Sequence, residues 1–140
     1  MVGEGALMHD MRLLAEAEGI RDRILFTGYT ERVGFWLSKL DTLMLLSRYE
    51  GLPNALIEAQ ASGIPVVATP VGGSAECFID GKTGRLLPFL ETVDHNTTAD
   101  TVLELLQLAA ADRNMADCAR SYAHSRFSIA QSIRSFLSVL

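Results

Sequence analysis

Cysteine is scarce in this chain, with two among 140 residues. Cys77 and Cys118 lie far apart, so there is no CxxC pair to begin a zinc site. A distant pair of this kind in a cytosolic chain reads as two buried thiols and not as a disulfide. The three histidines, His9, His95 and His124, sit in unrelated segments and suggest no metal triad. Long apolar runs are missing too. The best, Leu43-Met44-Leu45-Leu46, falls far short of the ~20 residues that cross a bilayer. Residues 1–5 have neither the basic start nor the apolar stretch of a signal peptide. A soluble, cytoplasmic protein is therefore expected. Positive charge is the last shortage: 12 Lys and Arg stand against 17 Asp and Glu, for a net charge of −5. The nearest approach to a basic stripe, Arg21-Asp22-Arg23, is broken by an acid. Binding of a phosphate backbone needs clustered cations, so no nucleic-acid partner is expected.

What is present is a globular composition, 49% apolar and 21% charged. The length suits one domain. At this size folding buries roughly 70% of the unfolded chain's surface, which is enough for a proper core. There is no internal repeat and no low-complexity segment.

Helix and strand patterns alternate through the first two thirds. Residues 6–18 repeat Met8, Met11, Leu14 and Ala15 at helical spacing, and Gly19 stops them. Residues 23–27 predict a short buried strand, and residues 32–40 a helix carrying Val33, Trp36, Leu37 and Leu40. Residues 42–46 predict a second strand. After the loop 47–52, Pro53 suits the first turn of a helix running to Ser62, with Gly63 as its stop. Residues 65–69 predict a third strand, residues 74–79 a short helix, Asp80-Gly81 a turn and residues 84–87 a last strand. The clearest strands are continuous apolar runs. Such runs belong to strands covered on both faces, that is, to an α/β fold with a Rossmann-like parallel sheet flanked by helices.

From residue 94 the pattern is helical only. Helices are expected at 98–111, 112–127 and 128–140, the last capped by Ser128. The expected division is therefore an α/β part at 1–93 and a C-terminal helical tail at 94–140, packed on it. A doubly wound half ordinarily opens with a strand, and here only Met1-Val2-Gly3 precedes the first helix. The chain reads as though cut at the end of a strand.

In open parallel sheets, ligands bind outside the carboxyl ends of the strands. Four glycine-containing loops fall at such ends, at residues 3–5, 28–30, 47–54 and 70–73. The loop 47–54 is the most informative. It leads into a helix N-terminus, which carries about half a positive charge and suits a phosphate or diphosphate. Two acids, Glu50 and Glu58, bracket it as E-x7-E. Carboxylates would repel a bare phosphate but accept hydrogen bonds from hydroxyls on either side of a diphosphate. A sugar on one side and a ribose on the other describe a sugar nucleotide. The plainer reading is that both acids are merely solvated, and the spacing alone does not exclude it.

The wider context narrows the choice. Ser47-Arg48-Tyr49-Glu50-Gly51-Leu52-Pro53-Asn54-Ala55-Leu56-Ile57-Glu58-Ala59 closely resembles the C-terminal domain of retaining GT-B glycosyltransferases of family 4. So do Gly63-Ile64-Pro65-Val66-Val67-Ala68-Thr69, Gly72-Gly73-Ser74-Ala75-Glu76 and Asp80-Gly81-Lys82-Thr83-Gly84-Arg85-Leu86-Leu87-Pro88. Val2-Gly3-Glu4-Gly5 and Arg23-Ile24-Leu25-Phe26-Thr27-Gly28-Tyr29 fit as well, and the resemblance covers the whole chain.

The resemblance implies two Rossmann-like domains with the active site between them, the C-terminal one holding a UDP- or GDP-sugar. It implies that Glu50 acts in catalysis by binding hydroxyls of the donor sugar, and that Glu58 binds the ribose. Backbone around Gly51, Leu52, Pro53 and Asn54 would touch sugar and diphosphate, and the loop at Gly28 and Tyr29 the base. No cofactor and no metal is implied. The acceptor would be a glycan or a lipid-linked sugar in the synthesis of bacterial cell-surface polysaccharide. The resemblance also admits peripheral association of the full-length enzyme with the inner face of the cell membrane. Two departures stand out: the family's first strand with its diphosphate-neutralising Arg and Lys, and its N-terminal acceptor domain, have no counterpart here. The family's sheet order, 3-2-1-4-5-6, makes that first strand central. The chain is thus expected to be the donor-binding part of a transferase. The alternatives are a nucleotide-sugar binding module or a truncated fragment without transfer activity.

Other residues carry two readings. Trp36 sits on an apolar stripe and suits core packing. Arg48 could reach the diphosphate or simply be solvated. Gly72-Gly73 could admit a ligand or only turn the chain. Glu76 suits the start of a helix. The last helix has few cations, whereas membrane-surface helices are usually rich in them.

Overall fold

The computed structural model describes residues 1–89, 92 and 94–137. The chain divides into two compact units, Met1–Trp36 and Leu37–Leu140.

The first unit holds one full helix, α1 (Met8–Ala17), with Ala15 buried. It stops where expected: Gly19 N–H returns to the Glu16 carbonyl and Ile20 N–H to that of Ala15. Residues 23–27 do not form the expected strand. Arg23 closes a 3-10 turn, Arg21–Arg23, and the rest runs extended without a regular ladder. Beyond the turn that closes on Ile24, backbone bonds from Met1 and Gly3 hold it. The Met1 amine donates to the Leu25 carbonyl (2.6 Å), Thr27 N–H to that of Met1 (3.0 Å) and Gly3 N–H to that of Gly28 (2.9 Å). The isolated bridge between Gly3 and Gly28 is antiparallel. Phe26 packs beneath the guanidinium groups of Arg12 and Arg21, at 4.7 and 5.4 Å. The helix expected at 32–40 contracts to α2 (Val33–Leu37). Gly34 weakens its interior, and Leu40 N–H closes a terminal turn onto Leu37. Trp36 is half-buried and meets Phe35 edge to face at 5.2 Å.

The second unit is built on three parallel strands, β1 (Leu43–Leu45), β2 (Val66–Ala68) and β3 (Gly84–Leu86), in the order β1-β2-β3. Leu43 pairs with Val66 and Val66 with Gly84. Side chains on β2 alternate between two cores, as the pleat requires. Val66 and Ala68 join Leu37, Leu56, Ala59, Ile64, Cys77 and Phe78 on one face. Val67 joins Leu87, Leu105 and Met115 on the other. Both faces are covered by helices, which is why β2 reads as an unbroken apolar run. α3 (Asn54–Ala61) supplies Leu56 and Ala59 to the first core. α4 (His95–Ala111) and α5 (Met115–Phe127) supply Leu105 and Met115 to the second. α6 (Ile129–Leu137) follows, with Ile129, Ile133 and Leu137 exposed.

Several boundaries differ from those expected. Pro53 precedes α3 instead of opening it; its carbonyl receives both Leu56 N–H (3.1 Å) and Ile57 N–H (3.4 Å). The helix expected at 74–79 is only a 3-10 turn, Ser74–Glu76. The Thr83 hydroxyl captures Ile79 N–H (3.0 Å) and so diverts the chain. α4 begins three residues before the expected 98, because Asp94 caps it through Thr97 N–H (2.8 Å). α5 starts at Met115, after a turn in which Met115 N–H bonds the Asp112 carbonyl. Ser128 caps α6 as expected, accepting from Gln131 N–H (3.3 Å). The end of the last expected helix, 138–140, lies outside the described residues. Among the described residues no helix is long and apolar enough to cross a membrane.

The Asp94 cap yields a pH prediction. Hydrogen bonds from the Thr97 hydroxyl and amide hold the Asp94 carboxyl below the usual aspartate range. A depressed folded-state pKa stabilises above the unfolded value and is lost as pH falls through the folded one. Asp94→Asn is therefore expected to melt below wild type at neutral pH, with the gap closing under acid conditions. A gap that stayed constant from pH 7 to pH 3 would contradict the cap.

Candidate functional site

β1 and β2 are parallel neighbours, so the loops at their carboxyl ends leave the sheet on the same side. Thr69, fully buried at the end of β2, joins their roots. Its hydroxyl donates to the Ser47 carbonyl (2.7 Å) and accepts from Ser47 N–H (3.1 Å). The loop that follows β1 therefore starts from a fixed point. Ser47 then reaches forward: its hydroxyl donates to Glu50 Oε1 at 2.6 Å. This orients the half-buried Glu50 and leaves its other oxygen for a second donor. Nothing in the sequence pattern singled out Thr69, and its partner lies 22 residues away.

The two loops touch through backbone. Gly73 N–H donates to the Gly51 carbonyl at 2.6 Å. A Cβ on Gly72 would overlap the Glu50 carbonyl oxygen, and one on Gly73 would lie 2.9 Å from that of Gly51. The glycine pair is therefore needed so that one loop can press against the other. Cys77 sits beneath them, its thiol 3.4 Å from the Gly73 carbonyl and 3.9 Å from that of Pro53. Burial pushes that thiol up to about 11, and the charges of Glu76 and Glu50 add to the shift. It stays protonated near neutral pH and serves as a donor, not as a nucleophile. Cys77 is buried as expected, Cys118 only half-buried, and both are free thiols.

Beyond Pro53 the chain enters α3. Asn54 and Ala55 N–H precede any i−4 partner in that helix, so they belong to its open, electropositive end. Gly51, Leu52 and Asn54 are exposed around this end, and Pro53 is buried. Glu58 is exposed and lies four residues after Asn54, one turn along the same stripe. The structure thus gathers Glu50, Gly51, Leu52, Pro53 and Asn54 in one loop and helix start, with Glu58 one turn beyond. Of the four glycine loops, 47–54 and 70–73 meet here. Residues 3–5 and 28–30 belong to the first unit, where Gly3 pairs with Gly28 and Tyr29 is 69% exposed. Among the described residues no cluster of His, Cys, Asp or Glu could hold a metal ion.

A parallel sheet with helices on both faces defines a Rossmann-like α/β chain. It belongs to the family of glycosyl transferases group 1, which it matches over residues 1–108. One relative is the Vi polysaccharide biosynthesis protein VipC/TviE of Salmonella typhi. It is 40% identical over 140 residues, which are 100% of this chain and 24% of that protein. The N-acetyl-alpha-D-glucosaminyl L-malate synthase of Bacillus anthracis is 35% identical, over 91% of this chain and 32% of its own length. Among solved structures, Anabaena HepE in complex with UDP-glucose superposes with a TM-score of 0.79. Its identity is 26%, over 99% of this chain and 40% of that one. The chain spans between 24% and 32% of the length of these two curated relatives. Its architecture of parallel strands, flanking helices and helical C-terminal part matches the GT-B neighbours.

The glycine contact is directly testable. Gly72 has φ +52°, which an L residue adopts only at a cost, and a Cβ there would also meet backbone. Strain and overpacking together predict about 2–4 kcal/mol of destabilisation for Gly72→Ala. Chemical denaturation measures it, and an unchanged midpoint would mean that the loops are not packed as described.

Proposed function

We propose that this chain is the donor-binding part of a retaining glycosyltransferase, moving a sugar from a UDP- or GDP-sugar to a glycan or lipid-linked acceptor during synthesis of cell-surface polysaccharide. The observation that carries the proposal is the helix start at Asn54, with Glu50 oriented by Ser47 on one side and Glu58 one turn along on the other. An open helix end stabilises the diphosphate, and each carboxylate accepts from a hydroxyl beyond it. Glu50 faces the donor sugar and acts in catalysis by orienting it; Glu58 holds the ribose. Gly51, Leu52, Pro53 and Asn54 line the sugar and diphosphate, and Gly28 and Tyr29 contact the base. Residues 1–93 form the donor-binding half and residues 94–140 the helical tail packed on it. An N-terminal acceptor domain completes the cleft in the cytoplasm, at the inner face of the membrane. Support comes from family membership and from a neighbour whose structure holds UDP-glucose.

The roles predict different kinetics. A ribose contact binds ground and transition states alike, so Glu58→Ala raises KM for the donor with little change in kcat. A hydroxyl–carboxylate bond is worth about 1.5–3 kcal/mol, hence a loss of about tenfold to a hundredfold. Glu50→Ala lowers kcat instead, because the sugar undergoing transfer loses its orientation. Steady-state assays of the full-length enzyme with donor varied, and calorimetric titration of UDP-glucose, separate the two. Unchanged donor affinity in Glu58→Ala would remove the ribose role.

A further inference from the structure

We propose that Tyr122 and Arg126 of α5 are positioning residues that, through Glu76, seat the Gly72-Gly73 turn against the donor loop and so tune donor binding. The inference rests on the donor reading of that loop. The connection is continuous. The Tyr122 hydroxyl donates to the Glu76 carbonyl at 2.9 Å, and Arg126 Nη2 meets Glu76 Oε2 at 3.3 Å. These partners stand 46 and 50 residues apart in the chain. Glu76 N–H in turn donates to the Gly73 carbonyl at 3.0 Å, and Gly73 N–H to the Gly51 carbonyl at 2.6 Å. Phe127 meets the Tyr122 ring edge to face at 6.3 Å and limits its rotation.

α5 also grips the far end of α3. The Arg120 guanidinium, paired with Asp117 at 2.7 Å, lies over the Gly63 backbone, where a Cβ would come within 2.7 Å of its Cζ. One helix therefore braces the C-terminal stop of α3 and, through Glu76, the turn packed against the loop that opens α3. The two Glu76 contacts are unequal. The Arg126–Glu76 pair is half-exposed or more on both sides, and such pairs contribute little. The Tyr122 bond goes to backbone of the turn itself and carries most of the positioning.

Amide hydrogen exchange and UDP titration on this chain, both followed by NMR, test the inference with Tyr122→Phe and Arg126→Met. In Tyr122→Phe the Gly73 amide should exchange about tenfold faster, while the β2 amides of Val67 and Ala68 stay protected. UDP affinity should fall about threefold to tenfold in the same variant. Arg126→Met should change both in the same direction by less. Unchanged Gly73 exchange in both variants would overturn the positioning role. So would a uniform rise across all amides, which marks general destabilisation. Faster Gly73 exchange in a chain whose wild type binds neither UDP nor GDP would overturn the donor reading, and the tuning with it, leaving only a structural brace.

Discussion

Two backbone segments cannot share the space that a side chain would fill. At Gly72 the Glu50 carbonyl oxygen occupies the place of a Cβ, and the neighbouring Gly73 amide is bonded to the Gly51 carbonyl. The turn after β2 thereby becomes the floor of the loop after β1. The Ser47–Glu50 hydrogen bond, the entry into α3 at Pro53 and the Cys77 thiol beneath both loops all depend on that approach. With bulk at this point the two strand ends would part, and Glu50 would lose its fixed relation to the helix end.

That helix end is modest as an anion site. An exposed N-terminus stabilises a negative charge by about 0.3–1 kcal/mol. Arg48, in the loop that leads to that helix end, is exposed. On the proposed reading, the oriented Glu50 carboxylate adds to what the helix end supplies. A preoriented carboxylate avoids the cost of being ordered when a hydroxyl arrives. Ser47 and Thr69 supply that order from inside the sheet.

The parallel sheet was legible because β1 and β2 are unbroken apolar runs, and in β2 all three residues are buried. The loop and both acids were legible as a motif. Segment 23–27 was misjudged because a strand is defined by its partners, and here Met1 and Gly3 supply them over too few residues. The start of α4 was missed although Asp94, three residues before Thr97, is an ordinary cap pattern. Glycines 72 and 73 were visible, but which backbone they admit was not, since Glu50 and Gly51 lie some twenty residues earlier. The Thr69 and Tyr122 contacts span 22 and 46 residues and leave no local pattern at all.

The proposed function requires the loop at Gly51 and the first turn of α3 to bind the diphosphate of a nucleotide sugar. Titration of the isotope-labelled chain with UDP-glucose, followed by amide chemical shifts, tests it most directly. The largest shifts are expected on Gly51, Leu52, Asn54 and Ala55, whose amides form the loop and helix end. Saturable shifts confined to other segments, with those four amides unmoved, would contradict it.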